Sequence, residues 1–150
     1  MIGLVQRVSR ASVAVAGNVI GTIGTGLVVL VGIQPEDSPA TAEKLLHRML
    51  NYRIFADAQG RMNVSLKDQG GGLLLVPQFT LCADTTHGMR PGFSAAAPPQ
   101  VAERLFGYLV GRAEALHSPV AAGPFGTDMQ VSLINEGPVT FWLQSHSPAS

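Results

Sequence analysis

The sequence predicts a single α+β domain, a mostly antiparallel sheet carrying two main helices. Two observations carry this. The 150 residues are 46% apolar and only 13% charged, with Gly 17 and Pro 10 supplying frequent breaks, a balance that suits a strand-rich globular core rather than disorder. Short alternating or continuous apolar runs also recur along the chain, interrupted by two longer segments of helical periodicity.

Taken in order, Ile2 to Val15 is strand-like, and Gly17-Asn18 separates it from Val19 to Ile23 as a hairpin loop would. Leu27 to Val31, bounded by Gly26 and Gly32, is a continuous apolar run expected of a central strand covered on both faces. Ser38-Pro39 suits a helix start, serine accepting from an orphan amide and proline needing no donor there. Ala42, Leu45, Leu46 and Met49 then follow helical spacing. Arg53-Ile54-Phe55 and the alternating Met62, Val64 and Leu66 flank Asp57-Ala58-Gln59-Gly60, a second hairpin. Gly70-Gly71-Gly72 lacks the lysine and helix of a phosphate cradle and reads as a turn before the buried strand Leu73 to Val76. Pro98-Pro99 opens the second helix, with Val101, Leu105, Phe106, Leu109, Ala113 and Leu116 along one face. Met129, Val131 and Leu133 alternate as a strand, Asn135 to Pro138 reads as a turn, and Phe141-Trp142-Leu143 resumes the strand. Residues 1–144 make up the domain, and 145–150 are expected to be a flexible tail.

Ten basic residues balance ten acidic ones, so a nucleic-acid partner would have to be gripped locally. The lone Cys82 excludes an internal disulfide and a cysteine-rich zinc site, and fits a reducing cytoplasm. The opening residues turn polar too soon for a secretory signal, and Gly26 to Ile33 is far shorter than the roughly 20 residues of a membrane helix. The expectation is a cytoplasmic protein.

Familiar catalytic equipment is sparse. His47, His87, His117 and His146 are scattered without metal-ligand spacing, and no nucleophile elbow, Walker loop or dinucleotide fingerprint occurs. Thr80, with Asp84 and His87 close behind, is a conceivable nucleophile, orienter and base. A threonine at a strand end is also ordinary, and nearness in sequence does not make a triad. Gly137-Pro138 is by composition an ordinary turn.

Two motifs, Pro77-Gln78-Phe79-Thr80-Leu81 and Asn135-Glu136-Gly137-Pro138-Val139-Thr140, resemble the paired signatures of the D-aminoacyl-tRNA deacylases in order and separation. The likeness extends through Gln6-Arg7-Val8, Asn51 to Phe55, Arg90 to Ser94 and Asp128 to Leu133, leaving only the tail beyond Gln144 outside. The resemblance implies a barrel-like sheet, a homodimer, and a hydrolase without metal or other cofactor. Its substrate would be the acceptor end of aminoacyl-tRNA, carrying a D-amino acid or mischarged glycine. It implies catalytic roles around Gln78, Phe79 and Thr80, with the Phe79 amide as oxyanion donor and the tRNA 2′-hydroxyl assisting. Thr80 could position water or substrate, or merely satisfy a backbone group.

For substrate binding it implies Gly137, Pro138, Arg7 and Met129. Gly137-Pro138 would be a cis peptide entering the partner's active site, its carbonyl oxygens leaving no room for an L side chain. Arg7 would hydrogen-bond to that motif, whereas by itself it reads as a solvated strand-edge charge. Arg90 and Phe93 would meet phosphate and base, or serve loop packing.

Pro77 departs from the family, whose first signature usually begins with serine. Proline there is typical of a related animal deacylase that clears L-alanine from threonine tRNA, whereas Phe79 and Gly137-Pro138-Val139-Thr140 are of the D-specific kind. A non-catalytic RNA-binding module is the reading from another class, opposed by the lack of a basic stripe or interleaved aromatics.

Overall fold

The computed structural model describes residues 1–147. The strand β1 (Ile2–Val15) is the axis of the sheet. Along one edge it pairs antiparallel first with β3 (Gly26–Gly32) and then with β2 (Asn18–Ile23), and β8 (Gln130–Gln144) runs antiparallel along the other. Beyond β3 lie β6 (Gly72–Pro77) and β7 (Val120–Ala122), both parallel. Parallel neighbours require crossovers. One consists of α1 (Pro39–Asn51), the hairpin β4 (Arg53–Ala56) and β5 (Met62–Ser65), and α2 (Leu66–Gln69). The other contains α3 (Pro99–Leu116).

The sheet curls towards a barrel. A Cβ on Gly21 of β2 would lie 3.3 Å from the Ala121 Cβ of β7. Curling divides the core by strand alternation. On β3 and β6, Leu27, Val29, Val31, Leu73 and Leu75 face the helices and join Leu45, Leu46, Met49 and Leu109. Val28, Leu74 and Val76 turn into the barrel with Val8, Val13 and Ile23. Burial on both faces is why these two strands read as unbroken apolar runs. Between them Gly26 pairs with Gly72. A methyl group on Gly26 would overlap the Gly72 carbonyl and lie 2.7 Å from its nitrogen, so the close approach excludes any side chain.

Ser38 is the N-cap of α1 with Pro39 following it, as expected, and the Thr41 hydroxyl in addition accepts from the Ser38 amide at 2.7 Å. Other local expectations are corrected. Leu66 does not extend β5: the Ser65 hydroxyl accepts from Asp68 N at 3.1 Å, starting α2 there. Asn135 to Pro138 is not a turn between strands. Residues on both sides of it pair with β1, Val8 with Asn135 and Gln6 with Thr140, so the intervening residues bulge from one continuous strand opposite Arg7. Ser145, the first residue of the expected tail, is buried. Its amide donates to Met1 O (2.9 Å), its carbonyl accepts from the Met1 ammonium (2.8 Å), and its hydroxyl donates to Thr41 O (2.8 Å). The same ammonium pairs with Asp37 at 2.7 Å. Residues 148–150 of that tail lie outside the described residues.

Candidate active site

Where β6 ends, the chain opens a cleft of about 690 Å³. Pro77, Gln78 and Phe79 form one side, and Phe93, Phe125 and Met129 supply much of the apolar wall. Gln78 is still held by the sheet, its amide donating to Val31 O at 2.7 Å. The chain then tightens into a 3₁₀ turn, Phe79–Cys82. Leu81 N reaches Gln78 O and Ala83 N reaches Thr80 O, each at 3.2 Å. The two leading amides, of Phe79 and Thr80, have no acceptor among the described residues, as the first donors of a helical turn must.

The side chains at this corner divide their roles. Gln78 Nε2 donates to Thr80 Oγ1. Phe79 is 58% exposed and its ring lies 5.1 Å from that of Phe93, tilted by 52°. The Phe93 loop is held by reciprocal backbone bonds between Asp84 and Gly92, 2.7 and 2.9 Å. Met129 is half-buried, its sulfur occupying space left by Gly123, where a Cβ would fall 2.6 Å from it and 3.5 Å from the Pro77 ring.

A second group lies apart from this cleft. Arg7 is half-buried, and its Nε donates to Glu136 O (3.0 Å) while Nη1 donates to Ile54 O (2.9 Å). The planar fork thus ties the bulge of β8 to β4. Asn135 Oδ1 accepts from Val139 N (2.8 Å), and Asn135 Nδ2 donates to Thr140 Oγ1 (2.9 Å), closing the bulge from its other side. Gly137 and Pro138 are exposed at its tip and joined by a cis peptide. With φ of 139° at Gly137, and a Cβ there only 2.9 Å from Val139 N, no other residue fits. Of the residues singled out from sequence, Gln78, Phe79 and Met129 therefore meet at the cleft and Thr80 adjoins it. Arg7, Gly137 and Pro138 meet one another elsewhere on the same chain.

Residues 4–144 match the family described as D-Tyr-tRNA(Tyr) deacylase. The chain belongs to that family. It is 61% identical over 145 residues to a D-aminoacyl-tRNA deacylase of Pseudomonas fluorescens (strain Pf0-1), covering 97% of this chain and 100% of the relative. Among solved structures it resembles a protein titled c-Myc DNA Unwinding Element Binding Protein, with 38% identity and a TM-score of 0.93 over 98% of this chain and 100% of the other. A probable eukaryotic D-amino acid tRNA deacylase shares the fold at 16% identity, with a TM-score of 0.83 over 95% and 97% of the two chains.

The deacylase fold leaves the conceivable triad unassembled. Asp84 accepts from the amide of Thr86, at 2.9 Å, and from its hydroxyl, and these bonds hold its carboxyl below the usual range. Thr80 is engaged by Gln78, and no hydrogen bond joins His87 to either residue. Burial pushes the Cys82 thiol up, and its sulfur lies 3.5 Å from Ile33 O, so it is a packing group rather than a nucleophile. Among the described residues no three His, Cys, Asp or Glu side chains are grouped to hold a metal, and no helix is long and apolar enough to cross a membrane. Sequence reading missed Phe125 as a wall of the cleft. It enters because β7 lies beside β6, the Gly123 amide donating to Leu75 O at 2.8 Å. No local signal in Gly123-Pro124-Phe125-Gly126 beyond a turn could have revealed that neighbour.

Proposed function

We propose that the chain hydrolyses the ester joining a D-amino acid, or mischarged glycine, to the terminal ribose of tRNA, a chiral proofreading step in cytoplasmic translation. The observation that carries this reading is the pair of uncommitted amides, Phe79 and Thr80, beside an apolar cleft in a chain of the deacylase family. Water adds to the ester carbonyl, and the negative charge that develops on its oxygen is stabilised by the Phe79 amide. Collapse expels the ribose 3′-oxygen, which takes up a proton; the neighbouring 2′-hydroxyl of the substrate assists that transfer. Gln78 positions Thr80, whose hydroxyl orients water or substrate rather than attacking.

D and L esters carry the same groups, so discrimination is steric. In this reading the Gly137-Pro138 tip of one protomer enters the cleft of a second, its main-chain carbonyls meeting the α-amino group and excluding an L side chain. Its exposure, its separation from the cleft of its own chain and its anchorage by Arg7 all support that arrangement. So do exposed Val131, Ile134 and Trp142 on the long β8, which suit a dimer surface. Glycine, with no side chain, passes.

Pro77, which lines the cleft together with Met129, favours a second reading, the removal of L-alanine from threonine tRNA. Single-turnover deacylation separates these. D-Tyr-tRNA and Gly-tRNA should be cleaved well above their spontaneous rates, with or without chelator, and L-Tyr-tRNA should not. Preferential cleavage of L-Ala-tRNA would establish the second reading, and binding without turnover would indicate an RNA-binding module.

A further inference from the structure

Among the residues lining the cleft Asp128 alone carries a charge, and Gln78 and Thr127 are the other polar side chains. It lies between Gly126, where the chain turns at φ 71°, and the start of β8. Asp37 is engaged by the Met1 ammonium and Gln34 N, Asp57 by Asn63 and two amides, and Asp84 by Thr86, whereas the carboxylate of Asp68, which does not line the cleft, has no partner among the described residues. Asp128 is exposed, and among the described residues its carboxylate has no ion-pair or hydrogen-bond partner. An unengaged anion beside Phe93, Phe125 and Met129 suits a ligand bearing a cation.

An aminoacyl ester supplies one. Its α-ammonium has three N–H donors and a full charge. In the function proposed above, on which this inference rests, two carbonyls at Gly137-Pro138 accept two of those hydrogens but do not balance the charge. Drawing an ammonium against apolar walls is costly without an anion nearby. We propose that Asp128 is a specificity-determining residue whose carboxylate accepts the third N–H and neutralises the substrate's free α-ammonium. The Gly137-Pro138 tip sets which enantiomer enters; Asp128 selects for the unblocked amine.

The test uses two non-hydrolysable ligands: 3′-deoxy-3′-(D-tyrosylamino)adenosine, and the same amide lacking the α-amino group. Each is titrated calorimetrically into the wild type, Asp128→Asn and Asp128→Glu, beside deacylation of D-Tyr-tRNA. The wild type should prefer the amine-bearing ligand by about tenfold to a hundredfold, as for a hydrogen bond between charged groups. Asp128→Asn should reduce that ratio by about tenfold through the amine ligand alone, leaving the preference that the Gly137-Pro138 carbonyls supply, and Asp128→Glu should restore it. A preference that is undiminished in Asp128→Asn overturns the inference. So does equal weakening of both ligands, which would mean a contact to the nucleoside, or a wild type that does not distinguish them. Failure of the wild type to cleave D-Tyr-tRNA would instead remove the parent reading, and this inference with it.

Discussion

Replacing Arg7 by methionine keeps the length of the apolar stem while removing the fork that joins Glu136 O to Ile54 O. A hydrogen bond to a charged group contributes roughly 1.5–3 kcal/mol. One of this pair is solvent-exposed and the other part-buried, so a discounted total of about 2 kcal/mol is reasonable. For a chain of this size that is a fall of about 4–8 °C in Tm. If the same energy holds the Gly137-Pro138 tip against an incoming L side chain, the ratio of D- to L-Tyr-tRNA deacylation falls by up to about thirty-fold. Arg7→Lys, a point charge that cannot span both carbonyls, should lie between. The assays are thermal unfolding and single-turnover deacylation of both enantiomers. A lowered Tm with unchanged discrimination would separate the anchor from selectivity and refute the reasoning. No change in Tm would mean the two bonds carry no net stability.

Three further perturbations follow from the geometry. Gly26→Ala forces backbone apart where β3 meets β6, and urea unfolding should show a loss of about 3 kcal/mol, the upper part of the usual overpacking range; near-wild-type stability would mean the strands separate freely. The hydrogen bond from Arg112, then that from Tyr108, holds the Glu43 carboxyl below its usual range. A depressed carboxylate stabilises above its unfolded pKa, and that stability is lost as pH falls through the folded value. The Tm gap between wild type and Arg112→Met should therefore be constant above about pH 5 and close as pH falls through the lowered range of the folded carboxyl; a gap that widens on acidification reverses the sign and rejects the pairing. His87→Ala should keep deacylation within about twofold because His87 touches neither Thr80 nor Asp84; a loss of several orders of magnitude would restore the triad.

Much of the secondary structure is legible locally. The runs Leu27 to Val31 and Leu73 to Val76 declare buried strands because both of their faces are covered, and Pro39 and Pro99 mark helix starts because proline lacks the donor a first turn leaves idle. Where local chemistry was ambiguous, pairing decided. Leu66 continues an alternating pattern but sits in α2 because Ser65 caps it. Asn135 to Pro138 has the composition of a turn, yet β1 aligns with residues on both sides of it and draws them into one strand. Ser145 looks like tail until the Met1 ammonium and Thr41 carbonyl reach it.

By itself the sequence determined the apolar strands, the two long helices and the paired motifs, since each depends on side-chain chemistry within a few residues. Only the tertiary structure decided that Gln78 and Phe79 share a cleft with Phe125 and Met129, while Arg7 holds Glu136 across more than a hundred residues of chain. Those meetings depend on parallel pairing of β3, β6 and β7 and on the curl of the sheet. Such long-range order arises from hydrogen bonding and burial summed over the whole chain, which no short segment encodes.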